Sequence, residues 1–331
     1  MTRKWVLLAG ALPTLLAVLA ICTIDWSRAR EASVIEEEWL AEQPEKTRNL
    51  GTTRTLEIVP LVNWRANGPH LMTEAGVAYL VRTDSMTILF DAGFNRDGLR
   101  PSPLERNMAA LAVGMDEIDA VFVSHLHRDH VGGVSHERGA TLSLGESDSK
   151  LAGRTMFTPV AMHHPTMSTV TLSGPGPIAP GVATTGPIAR ALVAGRIEEQ
   201  ALVVNVEGRG LVVIVGCGHQ TLPKLIKRLV DAFDVPLYGM VGDLHYPVPQ
   251  GRLSLWGIDA QRRLASGEGI FRPVTAATVA SEMEMIDALG LGLIALGGHD
   301  TSDEVIRAFA TRYGPRFRPV VVGKSIHVSP M

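Results

Sequence analysis

The residues best equipped for chemistry form one short run, Ser124-His125-Leu126-His127-Arg128-Asp129-His130, followed by Val131-Gly132-Gly133. Imidazole nitrogens and carboxylate oxygens are the ligands that zinc, iron and manganese ions accept. His125 and His127 are two positions apart, so in extended chain they point the same way and can grip one ion. Asp129 and His130 fall past the bend and can face a second. Gly132 and Gly133 remove side chains where the backbone must turn closely. Ahead of the run, Ala120-Val121-Phe122-Val123 reads as a buried β-strand, so the loop sits where a strand ends. The chain holds 11 histidines in 331 residues, too few to produce this clustering by composition.

More candidates share one grammar: an apolar strand, a short turn usually containing glycine, then a ligand-type residue. Val215 runs into Gly216-Cys217-Gly218-His219, Val241 into Gly242-Asp243-Leu244-His245, and Leu296 into Gly297-Gly298-His299-Asp300. Where strands alternate with helices, strand ends of like direction share one sheet edge, and sites form there. His219 and His299 are therefore expected as metal ligands, with Asp243 as a further candidate. His245 is expected beside the metals, to stabilise a leaving oxygen or bind substrate. Cys217 reads either as a thiolate at or beside the metal or as a small buried apolar residue. His163 and His164 lie in the Gly- and Pro-rich stretch 135–200, expected as a lid, and are assigned to the substrate side.

The H-x-H-x-D-H loop resembles the signature of the metallo-β-lactamase-fold superfamily. That resemblance implies an α/β chain, an αββα sandwich of two βαβ-type halves with one or two metal ions held between them. Ile88-Leu89-Phe90-Asp91-Ala92-Gly93 resembles the family's earlier strand end. The resemblance implies that its aspartate, Asp91, supports the metal loop from behind. A narrower likeness rests on Thr184-Thr185-Gly186-Pro187-Ile188, Glu199-Gln200-Ala201-Leu202 and the three glycine turns above. Their order is similar to the dihydropteroate-synthase-like branch, which joins a dihydropterin to a ribofuranosyl-aminobenzene phosphate, over about residues 55–328. The histidines match that branch while their neighbours depart from it: Gly-Cys-Gly-His-Gln-Thr stands in place of its G-C-S-H-A-G.

Supporting elements can be read around these residues. Strands are expected at Leu56–Trp64, Val77–Arg82, Met86–Phe90, Ala201–Val206, Leu211–Val215, Pro236–Val241, Leu291–Leu296 and finally Pro319–Val322. Helices are expected at Leu104–Val113, after His219, at Val279–Leu289 and after Ser302. Trp5–Ile24 carries no charge and is long enough to span a bilayer, so 1–24 reads as a signal-anchor or a cleaved signal peptide. Residues 25–50 read as a charged spacer with a short helix near Ile35, and 51–331 as the metal-binding domain. Either reading of the N-terminus places that domain outside the cytoplasm.

A net charge of −3 gives no basic surface, so nucleic acid is not expected as a partner. Two cysteines, one of them Cys22 in the apolar run, supply no disulfide framework. The expected activity is a metal-dependent hydrolase of a small-molecule substrate. It uses metal-activated water with Asp129 as ligand and proton acceptor, on a phosphate ester or diester first and a carboxylic ester or lactone second. One or two ions are expected, zinc foremost, iron or manganese as alternatives. Pterin transfer and a non-catalytic metal-sensing module are the rival readings.

Overall fold

The computed structural model describes residues 3–193, 195–255 and 257–331, with side chains from residue 15 onward. Helix α1 (Arg3–Ala41) is followed by β1 (Leu56–Val62), β2 (Ala78–Thr83), β3 (Thr87–Phe90), α2 (Pro103–Ala110), β4 (Ala120–Phe122) and the short α3 (Val134–Arg138). Next come β5 (Thr155–Thr158), β6 (Ser168–Thr171), β7 (Gly176–Ala179), β8 (Val182–Thr184), β9 (Ile188–Leu192), β10 (Gly195–Glu199), β11 (Leu202–Val206) and β12 (Gly210–Val215). The chain ends with α4 (Leu222–Ala232), β13 (Leu237–Gly242), β14 (Ser254–Leu255), β15 (Ile258–Asp259), α5 (Ala260–Leu264), α6 (Ala276–Leu289), β16 (Leu293–Leu296), α7 (Asp303–Tyr313), β17 (Phe317–Pro319) and β18 (Ile326–Val328).

Two seven-stranded sheets face each other, ordered β18-β1-β2-β3-β4-β5-β6 and β17-β16-β13-β12-β11-β8-β7. Side chains alternate across a strand, and the alternation sorts these strands into layers. Ile58, Val81, Phe90 and Phe122 of the first sheet meet Leu202, Val204, Ile214 and Val241 of the second in the central core. Their neighbours Val59, Leu80, Leu89 and Val121 turn outward beneath Leu104 and Met108 of α2. On the far side Val203, Val213 and Met240 lie beneath α4, α6 and α7. The result is the expected αββα sandwich. Strands β3 and β4 run parallel, as do β12, β13 and β16. Their C-terminal ends therefore gather on one edge of each sheet, which is where every glycine turn named above lies.

Several expectations are corrected. The stretch 25–41 is the continuation of α1 rather than a spacer. Its acidic residues meet bases on the domain: Glu36 pairs with Lys224 at 2.8 Å, Glu38 with Arg196 at 2.8 Å, and Glu42 with Arg228 at 2.6 Å. Trp39 lies beside the Lys224 and Arg228 cations, and Ile35 is buried. Among the described residues no helix is long and apolar enough to cross a membrane, so the span expected over Trp5–Ile24 is not supported. The side chains of its first part, 5–14, lie outside the described residues. The stretch 135–200 supplies four short strands of the sandwich, β5 to β8, and a separate two-stranded sheet, β9 and β10, so it is not a lid throughout. The last strand falls at Ile326–Val328 instead of Pro319–Val322 because β18 closes the first sheet against β1.

Candidate metal centre

Each strand end delivers its residues by a different device. Asp91, just past β3, accepts from the Ser124 backbone N–H and hydroxyl, both at 2.7 Å. His130 Nδ1 lies 2.6 Å from the same carboxylate, which leaves its Nε2 pointing inward, 2.9 Å from Cys217 Sγ. Past β12, Glu199 accepts from the backbone N–H groups of Cys217, Gly218 and His219 at 2.6–2.9 Å. Gly218 has φ +86°, and a Cβ there would stand 2.7 Å from Leu244 Cα. Past β13, His245 holds φ +55°, a sparsely populated conformation for a side-chain-bearing residue that is retained where surroundings enforce it. Past β16, Asp243 accepts from the His299 N–H at 2.9 Å and the Asp300 N–H at 3.2 Å, and from the Thr301 hydroxyl.

These devices bring three overlapping groups together: His125, His127 and His219; Asp129, His130, Cys217 and His299; and Cys217, His219, His245 and Asp300. Within each group the donor atoms lie within 4.8 Å of one another. Nearly all are buried; His127 and Asp129 are partly exposed and mark the opening. His299 Nε2 lies 3.0 Å from Asp129 Oδ2, and His245 Nδ1 lies 3.1 Å from Asp300 Oδ2. The donor atoms of these pairs crowd together although His299 Nε2 and His245 Nδ1 have no hydrogen-bond partner.

Not every expected residue joins. Asp243 belongs to none of the groups, because both its oxygens are spent on the 299–301 turn. A carboxylate one strand over, Asp300, stands among the ligand atoms instead. Its signal was adjacency to His299 at a strand end. Glu199 was equally legible only as part of a motif. His163 is exposed, and His164 Nδ1 accepts from the Thr166 and Met167 N–H groups at 3.2 Å in a local turn, apart from the clusters.

The model of the metallo-beta-lactamase superfamily matches residues 72–279. The chain belongs to the metallo-beta-lactamase superfamily. No curated protein sequence matches it. Among solved structures it is similar to Tm1679, a metal-dependent hydrolase of the beta-lactamase superfamily, at 18% identity and TM-score 0.57, over 83% of this chain and 99% of that one. It is also similar to YhfI from Bacillus subtilis, a metallo-beta-lactamase fold protein, at 13% identity and TM-score 0.50, over 82% and 99%. These likenesses concern the fold; the pterin branch rests on the sequence motifs alone.

The donor set of this superfamily member fits divalent metal. His125 Nε2, His219 Nδ1 and both ring nitrogens of His245 and His299 are buried with no hydrogen-bond partner. An orphaned buried nitrogen is costly, and coordination removes the cost. Burial pushes His125 and His219 well below the usual histidine range and His127 down to about 4, so all three offer neutral lone pairs. Around His299 burial opposes charge, yet Asp300, Asp129 and Asp243 together raise it to about 10. That pocket is anionic and attracts a cation.

Proposed function

We propose that the chain is a metal-dependent hydrolase acting through metal-activated water. The observation that carries the reading is the convergence of orphaned buried imidazole nitrogens from both sheets on one partly open point. His125, His127 and His219 would hold one divalent ion, and Asp129, His130 and His299 a second, with Cys217 and Asp300 beside both. Zinc suits this mixture of imidazole, thiol and carboxylate. Bound there, the ions supply Lewis acidity and lower the pKa of water toward about 7.

The chain's own residues do the rest. Asp91 holds the Nδ1 proton of His130, fixing which nitrogen faces the metal. Asp129, at the opening, accepts the proton of the attacking water on its carboxylate. His245 stands against the His219 ring at 4.6 Å between centroids and donates from its imidazole to the leaving oxygen. Phosphate esters and diesters are the first substrate class, carboxylic esters and lactones the second. The test is turnover of aryl phosphodiester and aryl ester panels by metal-loaded chain and by Asp129→Asn and His127→Ala. The expected result is a loss of at least about 100-fold in kcat/KM for each variant. Intact turnover in His127→Ala overturns the mechanism.

A further inference from the structure

A cavity of about 590 Å³ opens against the metal loop, within the roughly 300–1,000 Å³ range of small-molecule sites. Arg96 and Arg100, from the segment after β3, and Arg128, from the metal loop itself, line it together with His136, Gly132 and Gly133. No carboxylate lines it, although the chain has more acidic residues than basic ones, 34 against 31. Asp97, between two of the arginines in sequence, is not part of the lining.

Arg96, Arg100 and Arg128 are exposed to solvent, so water and salt screen their mutual repulsion, and no carboxylate of the protein faces them across the cavity. Among the described residues Arg96 and Arg100 have no ion pair, and the carboxylate paired with Arg128, on Glu137, stands off at 3.9 Å. The segment bearing Arg96 and Arg100 is nonetheless ordered. Glu74 accepts from the Phe94 and Asn95 N–H groups at 2.8 and 2.9 Å, and the Asn95 amide bonds both the N–H and the carbonyl of Leu99. Half-buried Glu74 thus spends its charge on backbone rather than on the arginines. Arg128, Gly132 and Gly133 of the lining belong to the metal-loop segment, so the cavity abuts that loop, while none of the clustered donor residues lines it.

We propose that this cavity is an anion subsite, selecting substrates that carry a phosphate group apart from the bond that is cut. Planar guanidinium forks donate paired hydrogen bonds to phosphate and carboxylate alike. A phosphate dianion, with three terminal oxygens, can engage all three arginines and offset more of their charge than a carboxylate can. The assignment rests on the hydrolase reading only in calling the bound molecule a substrate.

The test is calorimetric titration of full-length, metal-loaded chain with phenylphosphonate, which has no ester bond to cut, benzoate serving as the carboxylate arm. Phenylphosphonate is expected to bind more tightly than benzoate. Affinity should fall at least about tenfold in Arg96→Gln/Arg100→Gln, with metal content unchanged by mass spectrometry. Arg307→Gln, exposed on α7, should retain wild-type affinity. If the double variant loses metal, the single Arg96→Gln carries the same comparison. Equal affinity in wild type and arginine variants, tighter binding of benzoate, or no binding of phenylphosphonate overturns the proposal. Binding is read without turnover. Arginine-dependent binding by a chain that hydrolyses nothing sinks the hydrolase and keeps the subsite; turnover without such binding does the reverse.

Discussion

At the scale of single residues, the centre depends as much on acceptors behind the ligands as on the ligands. Asp91 takes the Ser124 N–H, the Ser124 hydroxyl and the His130 ring, so one carboxylate orders two strand ends. Asp91→Ala is expected to weaken metal binding about 10–100-fold. Competition titration against a chromophoric chelator measures it, and unchanged affinity would show that His130 orients itself. Glu199 performs the same service for three N–H groups at once. The H-x-H-x-D-H residues were legible because a local pattern carries them. Asp300 and Glu199 were not, because an acidic residue acquires its partners only when distant turns meet. Asp243 shows the converse: its chemistry suited a ligand, and only the packing of β13 beside β16 reveals that backbone N–H groups claim it first.

At the scale of elements, apolar periodicity fixed the buried strands well, since Val212 to Val215 or Ile88 to Phe90 have nowhere to go but a core. It failed where a surface element is defined by contacts between charges. The second half of α1 is an example: read alone, Glu36-Glu37-Glu38 suggests solvent, while in the fold Glu36 and Glu38 meet Lys224 and Arg196. Docking of this helix predicts that amides of residues 28–41 exchange slowly with deuterium. Ile35→Ala should cost about 2 kcal/mol by thermal unfolding, near the low end for emptying a buried site. Fast exchange throughout 28–41 would mean that the helix stands free. In the stretch 135–200, glycines and prolines punctuate short strands that belong to three different sheets, so no single period emerges.

At the scale of the molecule, the centre ties the two sheets together. His125 to His130 leave the first sheet, whereas Cys217, His219, His245, His299 and Asp300 leave the second. Metal bound there stabilises the closed sandwich by mass action. Chelator treatment is expected to lower the unfolding temperature, and restored zinc to recover it; an unmoved transition would separate metal from folding. Protons act in the same direction on the acid side. Folded His127 stays neutral down to about 4, while an unfolded histidine takes a proton near 6.5. The unfolded chain therefore binds more protons between those values, and stability falls as pH drops from about 6.5 to 4. His125 and His219, also depressed by burial, add to the loss. Glu199, raised by burial to about 7, opposes it, as do Glu74, Asp243 and Glu282, which burial also raises. Unfolding of metal-free chain at pH 7 and pH 5 checks the sign.

The spread of the ligand-bearing turns along the chain also sets an order in time. A ribosome adding about 5–20 residues per second delivers the N-terminal part first. His125 is synthesised roughly 10–35 s before His299 at that rate. During that interval the nascent chain displays a histidine-rich loop without its counterparts, able to snare whatever ion is abundant. A product truncated before His299 would keep His125, His127 and His219 but lack His299 and Asp300, and so would be short of donors only on the side of the second ion.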